Sequence, residues 1–209
     1  IVMDPLGHGA SDRPHDPEAY EAEAAATHLT AVLENEGIAE ATLWGYARGA
    51  ETVVYTARRR PDIVEAVVVG DMYLGDYADG IRGIGGDLRM LTEQLASALE
   101  AGDWDTYFDL RMHDLSPEAR RARRAANDPA AIAALLPSDL RRPRGFPKPP
   151  APTRAYRAAD APIARPNRAL AERLPIEWAV VPGPAADAPD VVDAVVSRVR
   201  QFLRTVVTA

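Results

Sequence analysis

The segment Gly45–Gly49, with the sequence Gly-Tyr-Ala-Arg-Gly, is the part of this chain best suited to position a reacting group. The apolar run Ala41–Trp44 before it predicts a buried strand, and Glu51–Arg60 after it predicts a helix that ends before Pro61. A strand, Gly-x-Z-x-Gly and a helix form a nucleophile elbow, in which Z sits on a strained turn. Z is normally Ser, Cys or Asp, but here it is Ala47, which has no nucleophilic atom. The pattern therefore predicts a nucleophile-elbow turn that carries no nucleophile.

Predicted strands and helices alternate through the first part of the chain. Ile1–Met3 is predicted to be the end of a strand, and a Gly-rich loop, Asp4–Asp12, follows it. A helix is predicted over Glu18–Glu36, where Gly37 is a natural stop, and a buried strand over Ile63–Val69. This alternation predicts βαβ units and a mostly parallel sheet flanked by helices.

The pattern changes at Gly75–Gly86, a flexible joint that holds five glycines. Helical patterns without strands follow, so Asp87–Leu136 is predicted to be an insertion; its helices are Asp87–Glu100, Trp104–Met112, one from Ser116 and one from Asp128. Leu140–Pro152 is predicted to be an extended linker. The remaining predicted elements are the strand Thr153–Arg157, the helix Pro166–Leu174, the strand Ile176–Val181 and the helix Asp190–Val206. We therefore divide the chain into an α/β core, residues 1–72 and 151–209, and a helical lid with its linker, residues 73–150.

Composition excludes several classes of protein. A chain of 209 residues with 47% apolar residues can form one domain with a substantial core, and a net charge of −7 argues against a nucleic-acid binder. Because there is no cysteine, disulfides and thiolate catalysis are excluded. No apolar run approaches the roughly 18 residues of a membrane span, and no signal peptide is visible, so we expect a cytoplasmic protein. The abrupt opening on Ile1 suggests that a preceding segment is absent from this chain.

Several motifs occur together in a recognisable order. The loop Asp4-x-x-Gly7-His8-Gly9-x-Ser11-Asp12, the Gly45–Gly49 turn, a helical insertion after the next strand and a late Asp-bearing turn resemble the α/β-hydrolase family over nearly the whole chain. The resemblance implies that fold, with Ile1 at the family's fourth strand. It also implies that the first three strands, and the loop that usually supplies one oxyanion-hole N–H, are not in this chain.

The resemblance also implies a catalytic triad, of which two positions are unfilled here. The nucleophile position is Ala47, and the acid position is Asp160. The histidine is expected in the loop 182–189, before the last helix, but this loop has none, and no histidine follows His113. This is the pattern of a degenerate family member.

Other residues could act in the same pocket. Asp71 ends the strand before the lid, where some family members place an acid; it could bind a ligand or accept a proton, or simply cap the strand. The Arg48 N–H could still bind an anion or a carbonyl. The residues that we predict to contact a ligand are Tyr46, Arg48, Met72, His113 and Trp104.

Each of these interpretations has a structural alternative. His113 could lie over the pocket or at the lid surface, and Trp104 could line the pocket or pack within the lid. Trp44 and Trp178 fall in predicted strands and are expected in the core. His8 and Ser11 are expected to stabilise their turn, and we expect no metal ion and no cofactor. The arginine run at positions 120, 121, 123 and 124 is expected to be a solvated helix face, with an acidic ligand or partner as the alternative.

Three functions remain open. The first is a non-hydrolytic pseudo-hydrolase that binds a small apolar or ester-like ligand, with no membrane or nucleic-acid partner and with a homodimer left open. The second is a non-hydrolytic enzyme, such as an isomerase, cyclase or lyase, which would use Asp71, Tyr46, Asp160 or His113 as acid or base. The third is a serine hydrolase whose nucleophile was changed to Ala47, which would not account for the missing histidine. A chain whose missing part supplies the activity is a further alternative.

Overall fold

The computed structural model describes residues 1–70, 88–139, 151–158, 176–181 and 192–206. By its contacts the chain forms two compact units. We call Ile1–Ala25 with Ile81–Arg142 the helical unit, and Ala26–Gly80 with Pro143–Ala209 the sheet unit. The division into a core and a lid at residues 72 and 151 stays a prediction.

The sheet unit contains a four-stranded parallel sheet, as the alternation of elements predicted. Its strands are β1 (Ala41–Tyr46), β2 (Val64–Gly70), β3 (Thr153–Ala158) and β4 (Glu177–Val181), and they lie side by side in that order. All three neighbouring pairs are parallel. The carboxyl ends of these strands therefore lie at one edge of the sheet, which is where ligands bind in open α/β folds.

Helices pack on both faces of this sheet. Helices α1 (Ala22–Asn35) and α2 (Arg48–Arg59) contribute to one apolar cluster with Val67 and Val69 of β2. The final helix, α7 (Val192–Val206), joins Val68 of β2 in a second cluster on the opposite face. Because successive residues of a strand point to opposite faces, a strand covered on both sides must be apolar throughout, which explains the Val-Val-Val run.

The helical unit has its own apolar core. Its elements are a short 3-10 helix (Pro17–Tyr20), α3 (Leu88–Glu100), α4 (Trp104–Arg111), α5 (Pro117–Ala126), α6 (Pro129–Leu135) and a second 3-10 helix (Leu136–Asp139). Leu95 and Leu99 of α3, Trp104 and Phe108 of α4, and Ile132 of α6 are among the residues that pack together in this core. The spacing of these apolar residues is that of one helix face in α3 and in α4.

Side-chain caps begin three of the α-helices in this unit. Asp103, Ser116 and Asp128 each accept a hydrogen bond from the backbone N–H three residues later, which confirms the predicted starts at Ser116 and Asp128. The hydrogen bond from the Ala131 N–H is the main cause that lowers the pKa of Asp128. Because the folded state lowers this pKa, the cap contributes stability at neutral pH and loses it as the pH falls through the folded value.

Three sequence predictions differ from the structure. Ile1–Met3 was predicted to end a strand, which is wrong: no described residue forms a ladder with it, and Ile1 and Val2 are exposed. The predicted helix over Glu18–Glu36 is interrupted at Glu21, whose extended backbone separates the 3-10 turn from α1. Helix α2 begins three residues earlier than predicted, because the turn before it is tighter. Predictions for 75–86, 140–150 and 166–174 lie outside the described residues.

Candidate functional site

A single residue, Ala47, connects β1 to α2. Strand β1 ends at Tyr46 and α2 begins at Arg48, so the chain reverses within the predicted motif. Ala47 has φ 49° and ψ −115°, and among the described residues it is the only non-glycine residue with positive φ. Its N–H donates to the Gly70 carbonyl at 2.9 Å, and its carbonyl accepts from the Ala50 N–H at 3.1 Å. The strained turn that the motif predicted is therefore present.

Gly45 allows α2 to leave the strand at this close distance. A Cβ atom at position 45 would overlap the backbone carbonyl group of Gly49 and lie 2.7 Å from the backbone nitrogen of Ala50. A Cβ at position 49, in contrast, would meet no atom within 4 Å in the described part of the chain. Of the two motif glycines, only Gly45 is required by packing.

The backbone of Ala47 should store strain that can be measured. A residue with a side chain in such a conformation costs about 1–3 kcal/mol, whereas glycine adopts it freely but loses about 0.5–1 kcal/mol through entropy. We therefore expect Ala47→Gly to raise the free energy of unfolding in urea by about 1 kcal/mol. Ala50→Gly, within α2, is the matched control and should lower it by about 1 kcal/mol or more. Equal destabilisation by both substitutions would show that Ala47 is not strained.

The elbow presents two side chains and a helix N-terminus. Tyr46 and Ala47 are exposed and Arg48 is half-buried. Ala47 makes no side-chain cap hydrogen bond to α2, so the first backbone N–H groups of that helix are not capped by its preceding side chain. Helix N-termini carry partial positive charge and suit a carbonyl or carboxylate oxygen. The arrangement can polarise a bound group, but the turn offers no hydroxyl, thiol or carboxylate at its apex.

A cluster that the sequence did not reveal lies at the carboxyl ends of β1, β2 and β3. The Trp44 indole N–H donates to the Tyr156 hydroxyl at 2.8 Å, and the two rings meet edge to face. The Tyr156 side chain lies over Gly70 of β2, where a Cβ atom would overlap its phenol ring. Gly70 also accepts the hydrogen bond from Ala47, so this cluster adjoins the elbow. In the sequence, the one indication of this cluster is Gly70, the glycine that ends the valine-rich strand β2.

Trp44 was expected in the core, which is wrong, since 48% of it is exposed. Strand β1 is one of the two edge strands of the described sheet, and α7 packs on β2, β3 and β4. Trp44 is instead held at its N–H end by Tyr156. Trp178 lies in β4 as expected, but its burial is outside what the structure describes.

His113 and Trp104 belong to the helical unit and are not brought together there. His113 is exposed, and its Nε2 lies 3.0 Å from the Asp114 carboxylate. Trp104 is buried, stacked with Phe108 and edge to face with Tyr107. These contacts favour the structural alternative for both residues, and their ligand contacts stay predictions.

The loop Asp4–Asp12 is organised by its own hydrogen bonds. The Ser11 hydroxyl donates to the Asp4 carbonyl at 2.6 Å, and His8 Nδ1 lies 3.1 Å from the Leu6 carbonyl oxygen. These contacts are those expected of turn-stabilising residues. Within the described ranges, no group of three or more His, Asp or Glu side chains could hold a metal ion.

Three predicted site residues lie outside the described residues. Asp71 and Met72 directly follow β2 in the chain, and Asp160 lies two residues beyond β3. Their roles stay predictions.

Comparison with known proteins identifies the class of the fold. The family model described as alpha/beta hydrolase fold matches residues 1–74, a segment that includes the elbow. The enol-lactonase from Burkholderia xenovorans superimposes with a TM-score of 0.73 at 17% identity, over 96% of this chain and 79% of that one. An esterase from Thermogutta terrifontis gives a TM-score of 0.70 at 20% identity, over 97% of this chain and 78% of that one. The chain is an α/β-hydrolase-fold protein.

One curated relative resembles part of the chain. Over 72 residues, which are 34% of its length, this chain is 36% identical to the sn-1-specific diacylglycerol lipase ABHD11 of Mus musculus. The matched stretch spans 22% of the length of that lipase. No helix in the described part of this chain is long and apolar enough to cross a membrane.

Proposed function

We propose that this protein is a non-hydrolytic member of the α/β-hydrolase fold that binds a small apolar or ester-like molecule. One observation carries the proposal: the apex of an intact, strained elbow is occupied by Ala47, which cannot attack a carbonyl carbon. Acyl transfer by this fold requires a nucleophile at that apex and a histidine to take its proton. The loop 182–189, where the family pattern expects that histidine, contains none.

The elbow can still contribute to binding. Because the α2 N-terminus begins at the turn, its N–H groups suit the carbonyl oxygen of an ester-like ligand, and the Tyr46 side chain is exposed beside them. The neighbours of this fold include an esterase and an enol-lactonase, both named for substrates with an ester carbonyl. Such a ligand would bind without being cleaved.

The second candidate is a serine hydrolase whose nucleophile was replaced by alanine. The conformation at Ala47 favours it, because an alanine gains nothing from positive φ and a nucleophile in the same place would be presented to a substrate. The two candidates predict opposite results for Ala47→Ser. The activity of a non-hydrolytic enzyme that uses Asp71 or Asp160 would not depend on that substitution.

Ala47→Ser separates these candidates. Because no base is expected at the family's histidine position, we predict that both the unmodified protein and Ala47→Ser lack hydrolysis of short p-nitrophenyl esters. Ala47→Gly, which keeps the turn without adding a hydroxyl, is the matched control. Turnover in Ala47→Ser alone would establish the second candidate, and turnover in all three proteins would locate catalysis outside the elbow.

Binding is tested separately from turnover. Ligands that bind the native state raise the thermal unfolding midpoint in a concentration-dependent way. We expect non-hydrolysable ester or ketone analogues to do so in the unmodified protein. No stabilisation by any analogue, together with no turnover, would reject the binding function.

A further inference from the structure

Helix α5 has no buried apolar face of the kind that normally holds a helix to a protein. None of its ten residues is buried, although it lies between α4 and α6 in the chain. Most helices owe their stability to an apolar face packed on a core, because isolated helices of this length are marginal in water. Polar contacts must therefore hold α5 in place.

Arg120 is the main anchor of α5. Its Nη1 donates to the Asp109 carboxylate of α4 at 2.6 Å. Its Nε and Nη2 donate to the carbonyls of Leu115 and His113, each at 3.3 Å. The guanidinium lies 5.6 Å from the ring centroid of Phe108, and only 22% of the side chain is exposed. One arginine thus combines an ion pair, two carbonyl contacts and a cation–π contact.

A second ion pair repeats this arrangement one turn away. Arg124 lies one turn after Arg120 on α5, and Asp105 lies one turn before Asp109 on α4. The Arg124 guanidinium is 3.8 Å from the Asp105 carboxylate. Residues four apart share a helix face, so the two pairs form a ladder between α4 and α5.

The side of α5 opposite these two arginines carries alanines that face solvent. Ala122 and Ala126 lie about half a turn around the helix from Arg120 and Arg124, and both alanines are exposed. This orientation reverses the usual arrangement of an amphipathic helix. Separation of α5 from α4 would therefore expose almost no additional apolar surface of α5.

The last turn of α5 is held by an arginine from a distant part of the chain. Arg13 Nη2 donates to the Ala126 carbonyl at 3.1 Å and to the Gly9 carbonyl at 2.9 Å. The Asn127 side chain also donates, to the Arg123 carbonyl at 2.7 Å. Together with the Ser116 cap at its start, these contacts fasten both ends of α5 by side-chain hydrogen bonds.

We propose that α5 (Pro117–Ala126) is a strap latched onto α4 by ion pairs, and that it opens as a unit while α3, α4 and α6 stay folded. No residue of α5 is buried, and regions with few buried apolar contacts open at the lowest free energies. Opening withdraws the Arg120 guanidinium from the ring of Phe108 and so exposes one side of the aromatic cluster. The proposal does not depend on the chemistry of the elbow.

Amide hydrogen exchange tests the strap in the unmodified protein. We expect the amides of α5 to exchange at least about tenfold faster than those of α6, whose residues are buried. Raising NaCl from about 20 mM to about 500 mM should accelerate exchange in α5 about threefold and leave α6 unchanged, because salt screens the latch. Equal exchange in α5 and α6, or no effect of salt on α5, would overturn the proposal.

Two neighbouring arginines provide a matched pair of variants. Arg120→Gln removes the latch and should accelerate exchange in α5 about tenfold, whereas Arg121→Gln, at an exposed position, should change it less than about twofold. Asp109→Asn weakens the same ion pair from α4 and should act in the same direction as Arg120→Gln. Equal effects of Arg120→Gln and Arg121→Gln, or acceleration of α6 together with α5 by Asp109→Asn, would contradict a local strap.

Discussion

Replacing Gly45 with alanine is expected to lower the free energy of unfolding of the sheet unit by about 3 kcal/mol or more. The new Cβ atom would overlap the Gly49 carbonyl group and approach the nitrogen of Ala50, and both belong to the backbone of α2. Overpacking typically costs about 1–3 kcal/mol when side chains can adjust. A backbone adjusts less easily, because α2 is fixed by Val53 and Val54 in the core. Chemical denaturation followed by circular dichroism measures the loss.

Gly49→Ala is the matched control for this prediction. It changes the other motif glycine to the same residue, at a position where nothing in the described chain lies near the new atom. Since alanine is the better helix former, we expect an unchanged protein or a gain of up to about 1 kcal/mol. If both variants were equally destabilised, the close approach of β1 and α2 would not be the reason for Gly45.

The second large effect is expected at Phe108, in the helical unit. Phe108 is almost completely buried, and its ring contacts those of Trp104 and Tyr107. It also packs in one apolar cluster with Leu95 and Leu99 of α3. Truncating a buried phenylalanine removes its transfer free energy and leaves a cavity, at a cost of about 3–5 kcal/mol. We expect Phe108→Ala to lower the unfolding free energy of the helical unit by that amount, as measured by urea denaturation.

Leu110→Ala, on the same helix, is the control for this substitution. Leu110 is exposed, so its truncation should change stability by less than about 0.5 kcal/mol. Because the two units have separate cores, exchange protection of β2 should survive Phe108→Ala better than that of α3. Equal losses from Phe108→Ala and Leu110→Ala would show that the aromatic cluster does not hold this unit together.

The strands and helices near the elbow could be predicted because their signals are local. An apolar run, two glycines four residues apart and a helix ended by Pro61 lie within one short stretch. Capping signals such as Ser116-Pro117 also act within one turn, and they marked the start of α5 correctly.

The exposure of Trp44 could not be predicted, because it depends on contacts distant in sequence. Hydropathy places a tryptophan in a strand inside the protein, but its exposure depends on which strand forms the sheet edge. The partner of its indole, Tyr156, lies 112 residues away, and their contact requires Gly70 between them.

The arginine run illustrates the same limit within one helix. Arg121 and Arg123 are exposed, as predicted for a solvated face, but Arg120 is largely enclosed by α4. A cluster of arginines with one alanine carries no periodic signal that would separate the enclosed arginine from its neighbours. Its carboxylate partner, Asp109, lies on a different helix.

The bond from Arg13 to Ala126 also has a consequence for the order in which the protein can fold. It joins residues 113 positions apart, and Tyr20 packs with Ala131, Ala134 and Leu135 in the same helical unit. During synthesis Arg13 and Tyr20 leave the ribosome long before these partners exist, while β1 and β2 are made in between. The helical unit therefore cannot finish folding from the amino terminus onwards, as domains often do. Tyr20 can complete its packing only after the α6 region has emerged.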